Sequence, residues 1–199
     1  MNLIVSKEKE NTKLPAVMRA ALRLFMKKGI DGTTIKEIAR DAKVAEGTLY
    51  RHFKSKDDLA WHLFRAHLQQ FTHELESIVF AEQTAEARVH RFVEGSFAAY
   101  ESDPELYTYL ILREHSELDK FAKDDTHPGH IVTRIIEEGQ KSGEIKAGDP
   151  FVLGSLFVGG VIRVAVVKMY GNIREDLTKY AGYVAESIWM MLKGEIHHE

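Results

Sequence analysis

Residues 34–59 read Thr34-Ile-Lys-Glu-Ile-Ala-Arg-Asp-Ala-Lys-Val-Ala-Glu-Gly-Thr-Leu-Tyr-Arg-His-Phe-Lys-Ser-Lys-Asp-Asp-Leu59. Thr34-x-x-Glu37 is a capping box, in which a hydroxyl and a carboxylate each satisfy a backbone N–H that the first helical turn leaves without a partner. It opens a short helix with Ile35, Ile38, Ala39 and Ala42 on one face. Only Ala42-Lys43-Val44 separates this helix from a second, over about 45–53. Ser55-x-x-Asp58 then caps a long helix reaching about residue 80. Two short amphipathic helices joined by so tight a turn make a helix-turn-helix, whose second helix can enter a DNA major groove.

Placing residues of that second helix at 100° intervals turns Ala45, Leu49 and Phe53 inward. Val44, Gly47, Thr48 and Arg51 form an outward stripe flanked by Tyr50. Glycine inside a helix costs about 1 kcal/mol relative to alanine, but at position 47 it lets backbone approach a base edge or phosphate closely. Thr48 and Arg51 can each contact a base or a phosphate. Tyr50 and His52 can donate to phosphate oxygens, and Lys56 stands near the next helix start, where anions are favoured.

Upstream, a helix from Lys13 or Leu14 to Lys28 carries Val17, Ala20, Ala21, Leu24 and Phe25 as its apolar stripe. Pro15 suits its first turn and Gly29 its end. Downstream, five more helices are expected at about 84–101, 104–120, 128–141, 149–170 and 174–193. They are divided by Asp103-Pro104, Pro128-Gly129, Gly143 with Gly148-Asp149-Pro150, and Gly171-Asn172. No alternating strand pattern appears. The expectation is an all-α chain: a helix-turn-helix domain at 1–60, joined through a long fourth helix to a second helical domain at 61–199.

Charge supports that division. Residues 1–60 carry a net +5 and the remainder −8, within a chain of net −3. A basic head on an acidic body fits a polyanionic partner for the head alone. The absence of cysteine excludes a disulfide framework and a thiolate zinc site. Leu3-Ile4-Val5 is too short for the apolar core of a signal peptide. The run Phe151–Ile162, interrupted by Arg163, is too short to span a bilayer. A cytoplasmic protein without a membrane partner is therefore expected.

The quoted stretch, with Ala20-Ala-Leu-Arg-Leu-Phe25 and Gly29 before it, resembles the DNA-binding signature of the tetracycline-repressor (TetR) family over about residues 16–60. The resemblance implies a homodimer reading a palindromic double-stranded operator, with a small effector bound in the C-terminal domain. Repression by occluding the operator is the expected mode, with activation the alternative. The family's DNA contacts carry over to Thr34, Ala45, Glu46, Gly47, Thr48, Tyr50, Arg51, His52 and Lys56. Of these, Tyr50, His52 and Lys56 suit phosphates, and Thr48 and Arg51 suit bases. Glu46 can accept from a cytosine amino group or remain a solvated carboxylate. Two positions depart from the pattern: Lys43 stands where a turn glycine is usual, and Ala45 where a serine caps the third helix. Each costs roughly 1 kcal/mol, which a phosphate contact by Lys43 would partly offset.

Phe151–Lys168 is apolar on nearly all sides, and the last helix repeats apolar residues at Leu177, Tyr180/Ala181, Val184, Ile188 and Met191/Leu192. These two resemble the family's dimer helices; an intramolecular core is the alternative. An effector pocket is expected among Phe97, Tyr100, Tyr107 and Phe157, with Arg113, His115 and Arg163 giving it a cationic end. Such aromatics are more often plain core, and Arg163 could instead pair across a dimer. His127 and His130 beside Asp124 and Asp125 suggest a helix-start loop rather than a metal site; no metal or cofactor is expected. No nucleophile elbow, phosphate loop or H-E-x-x-H motif is present, so no enzyme is expected.

Overall fold

The computed structural model describes residues 13–121 and 128–194, with the side chains of 114–121 excepted. Among these residues the chain is helical, with no strand beyond one isolated bridge between Ile145 and Lys193. The helices are α1 (Leu14–Lys28), α2 (Ile35–Asp41), α3 (Glu46–His52), α4 (Lys56–Val79), α5 (Ala85–Ser102), α6 (Pro104–Phe121), α7 (Gly129–Ser142), α8 (Pro150–Met169) and α9 (Ala181–Leu192), with a 3-10 turn at Leu177–Tyr180. The last segment is thus shorter than the expected 174–193 and begins as a 3-10 turn. The chain divides within α4, at His67/Leu68, into two compact units.

In the first unit, α1 packs on α2 and α2 on α3. Its core comprises Val17, Ala20, Ala21, Leu22, Phe25, Ile38, Ala39, Leu49, Phe53, Leu59 and Leu63. The α1 stripe is displaced by part of a turn from expectation: Leu22 is buried and Leu24 only half-buried. Thr33 anchors the link to α2, since its buried hydroxyl donates to Gly29 O at 2.8 Å and to Leu24 O at 3.2 Å. A buried hydroxyl left without such acceptors would cost about 1–3 kcal/mol.

The second unit is built around α5, which packs on α6, α7, α8 and α9. Phe92, Val93, Phe97, Ile131, Ile135, Leu153, Phe157, Val161, Ala185 and Ile188 lie in its core. Asp149 starts α8 by accepting from the N–H groups of Phe151 and Val152, with Pro150 in the first turn. By length and composition α8 could cross a membrane, yet Leu153, Phe157, Val161 and Ala165 are embedded in the core. Only 28% of its most apolar window is buried. Its uncovered face carries Phe151, Val152 and Leu156, each more than half exposed.

Candidate nucleic-acid interface and ligand cavity

The reciprocal cap at Thr34 forms as its sequence dictates. Thr34 Oγ1 accepts from Glu37 N at 3.3 Å, and Thr34 N donates to Glu37 Oε2 at 2.9 Å. Lys28 Nζ lies 2.5 Å from Glu37 Oε1. The bond from Lys28, then those from the Thr34 hydroxyl and amide, pull the Glu37 carboxyl from 4.5 to about 2. This cluster closes the first turn of α2, which packs through buried Ile38 and Ala39.

That turn closes through Val44 N to Ala39 O at 2.9 Å and Lys43 N to Arg40 O at 3.2 Å. Lys43 has φ 55°, the left-handed conformation that favours glycine and costs a side-chain-bearing residue roughly 1–2 kcal/mol. Ala45 caps α3 in extended conformation and supplies no side-chain hydrogen bond. Its exposure corrects the expectation that it packs inward. Ala45 precedes the helix (φ −72°, ψ 145°), so a helical projection does not apply to it.

On α3, Glu46, Gly47, Tyr50, Arg51 and His52 are exposed, with Tyr50 58% accessible. A Cβ built on Gly47 would meet nothing within 4 Å, so its backbone is open to close approach. Thr48 corrects the expected outward stripe: it is 9% exposed, and Arg51 Nη2 donates to its hydroxyl at 3.4 Å. Its side chain supports Arg51 rather than projecting beside it. Lys56 is half-buried, with its ammonium donating to Asp31 O at 3.2 Å. The accessible groups are consequently Lys43, Glu46, the Gly47 backbone, Tyr50, Arg51 and His52. Hydroxyl, imidazole and cationic donors with one acceptor suit a duplex groove and its phosphate rim.

In the second unit a cavity of about 50 Å³ opens among α4, α5, α6 and α8. It is lined chiefly by Leu68, Phe71, Phe92, Tyr107, Ile111 and Val161, with Pro128 and Gly129 at the start of α7. Ser96 contributes a hydroxyl to this apolar lining. Of the expected effector residues, Tyr107 lines the cavity. Tyr100 stacks edge-on behind Tyr107 at 5.6 Å, and Phe157 behind Phe92 at 5.0 Å. Both are supports rather than lining, and Phe97 is fully buried core.

The expected cationic end is corrected as well. Arg163 is exposed on α8, where the helix face is uncovered and no desolvation needs compensation. Arg113 is half-buried and does not line the cavity. The side chain of His115 lies outside the described residues, as do Asp124, Asp125 and His127. His130 stands 3.6 Å from Glu76, beside Arg134 on the same carboxylate. Sequence reasoning missed Leu68, Phe71, Ser96, Leu110, Val158 and Ile162 of the lining. Their signal was i, i+3/i+4 spacing on each helix, which is also the signal of ordinary core.

The family model for bacterial regulatory proteins of the tetR family matches residues 17–63. The whole chain is similar to the fatty acid metabolism regulator protein of Bacillus subtilis (strain 168), 28% identical over 198 residues, or 96% of this chain and 100% of that protein. It is also similar to the HTH-type transcriptional repressor KstR2 of Rhodococcus jostii (strain RHA1), 29% identical over 73% of this chain and 74% of the repressor. Its fold is like that of the transcriptional regulator FadR from Bacillus subtilis, solved in complex with stearoyl-CoA. That likeness has a TM-score of 0.72 at 22% identity and covers 87% of this chain and 96% of that one. The exposed third helix of a capped helix-turn-helix, the matched family model and relatives similar over most of the chain agree: residues 17–63 form a DNA-binding domain like that of the bacterial regulatory proteins of the tetR family, and the chain is similar over most of its length to transcriptional regulators.

Proposed function

We propose that the protein is a dimeric repressor that occludes a palindromic operator and leaves it on binding a long-chain acyl thioester. In this reading residues 1–60 contact DNA through Thr34, Lys43, Ala45, Glu46, Gly47, Tyr50, Arg51, His52 and Lys56, with Thr48 supporting Arg51. Residues 61–199 hold the effector and form the dimer. The protein acts where the chromosome is, in the cytoplasm, and performs no catalysis.

The observation that carries the ligand class is the apolar cavity with Ser96 and Tyr107 as its polar positions. Hydrocarbon fits such a wall, whereas a charged group would be desolvated without a partner. The B. subtilis regulator solved with stearoyl-CoA supplies the chemical precedent. The exposed Val152 and Leu156 on α8 and Tyr183 and Met190 on α9 support the dimer. Cβ atoms built on Gly159 and Gly182 would face open space, leaving room for a partner helix. Binding by two heads at once gives the palindrome.

The test is selection of genomic fragments by the purified protein at about 100 mM salt, where phosphate-assisted binding persists. One palindromic sequence should be enriched, and long-chain acyl-CoA should release it while free CoA does not. No enrichment would overturn the DNA reading. Enrichment that no acyl-CoA of any chain length relieves would overturn the effector alone.

A further inference from the structure

Away from the cavity, α5 and α9 pack on each other. There Glu86 and His90, one turn apart on α5, converge with Glu186 of α9, and one donor atom from each lies within 4.8 Å of the others. His90 Nε2 is 3.8 Å from Glu186 Oε2. Two ligands about 2.1 Å from one zinc ion at a tetrahedral angle stand about 3.4 Å apart, so small rotamer changes of these side chains would close the set.

We propose that Glu86, His90 and Glu186 bind a first-row divalent cation of the Zn²⁺ class, with water completing its coordination. The charge balance argues for it. The other carboxylates of α5 have basic partners: Glu94 pairs with Arg91, and Glu101 with Lys168. Glu86 forms no ion pair with a basic side chain among the described residues, and Glu186 has His90 alone. Two carboxylates on one imidazole leave net negative charge at a packed helix crossing, and a divalent ion neutralises it. One imidazole with two carboxylates suits borderline transition metals, while the imidazole disfavours Ca²⁺ and Mg²⁺. The side chains are reachable, His90 being 29% and Glu186 56% exposed. Once bound, the ion would tie α5, which carries Phe92 and Ser96 of the cavity, to α9, which carries Tyr183 and Met190.

Calorimetric titration of ZnCl₂ into the full chain tests the site. One equivalent should bind, and its affinity should fall about tenfold or more in each of Glu86→Gln, His90→Gln and Glu186→Gln. The double variant His197→Gln/His198→Gln should retain it, which separates the site from the histidines near the chain end. Zinc should raise the melting temperature of the wild type and not of His90→Gln. Circular dichroism of the three single variants without metal should match the wild type, because all three positions are exposed or half-buried. Absence of zinc uptake by the wild type, or uptake by His90→Gln indistinguishable from it, overturns the proposal. Equal binding of Ca²⁺ overturns the assigned metal class.

Discussion

In the head, the candidate interface occupies one seven-residue helix and the turn before it. The cavity instead draws on five helices and spans Leu68 to Ile162. The head's surface is set by local chemistry: a cap, a turn and a short helix place each group within a few residues of its cause. The cavity exists only when distant helices pack, and most of its lining residues also pack in or against the core. A substitution in the head can therefore alter binding without stability, whereas one in the cavity unit alters both.

Phe157→Ala should break the second unit most severely. Phe157 is fully buried behind Phe92, and its removal should cost about 3–5 kcal/mol, read as a lower melting temperature with loss of effector response. Arg51→Ala should do the opposite. Its exposed guanidinium should contribute about 1–3 kcal/mol to operator binding at each head, while stability moves by less than about 0.5 kcal/mol. An operator titration beside a melting curve separates the two effects. Val161→Phe sharpens the contrast by filling the cavity. Strain of about 1–3 kcal/mol is expected, with operator affinity kept and at least about tenfold more effector needed for release.

Smaller effects are expected at the head's unfavourable positions. Ala45→Ser restores a cap hydroxyl to α3 and should stabilise by about 1 kcal/mol. Lys43→Gly relieves the left-handed backbone by a similar amount, at the expense of operator affinity if the lysine reaches phosphate. Glu37 sets the smallest effect and its direction with pH. Its carboxyl is held at about 2 instead of 4.5, so its contribution is present above the higher value and fades as pH falls toward the lower one. The melting difference between wild type and Glu37→Gln should shrink over that interval. A difference unchanged at pH about 2 would show that the carboxylate does not hold α2.

Legibility in the sequence followed the same division. Thr34 with Glu37, Gly29, and Asp149 before Pro150 announce helix ends through chemistry confined to a few residues, and the helices form where those signals stand. The strain at Lys43 was legible for the same reason. Ala45 was misplaced because it precedes the helix with extended backbone, where a helical projection does not apply; Thr48 was misplaced because the Arg51 side chain donates to its hydroxyl and it sits buried beside Leu49. Arg163 misled differently. A cation within an apolar run reads as buried, but α8 is apolar on a face that this chain leaves uncovered. The lining of the cavity was illegible in principle, since nothing in the spacing of Phe92 and Ser96 distinguishes a wall from a filled core.

The cavity's small size has a regulatory consequence. Pockets that hold drug-sized ligands are about 300–1,000 Å³, whereas this one is about 50 Å³. The proposed acyl chain would therefore have to displace packed side chains before it fits, and the free energy of that displacement would be subtracted from its binding. When only a small fraction of molecules is open, the apparent dissociation constant rises by the inverse of that fraction. If the proposed effector binds here, tight packing of Phe92, Tyr107 and Val161 would act as a concentration threshold, raising the dose needed to release the operator.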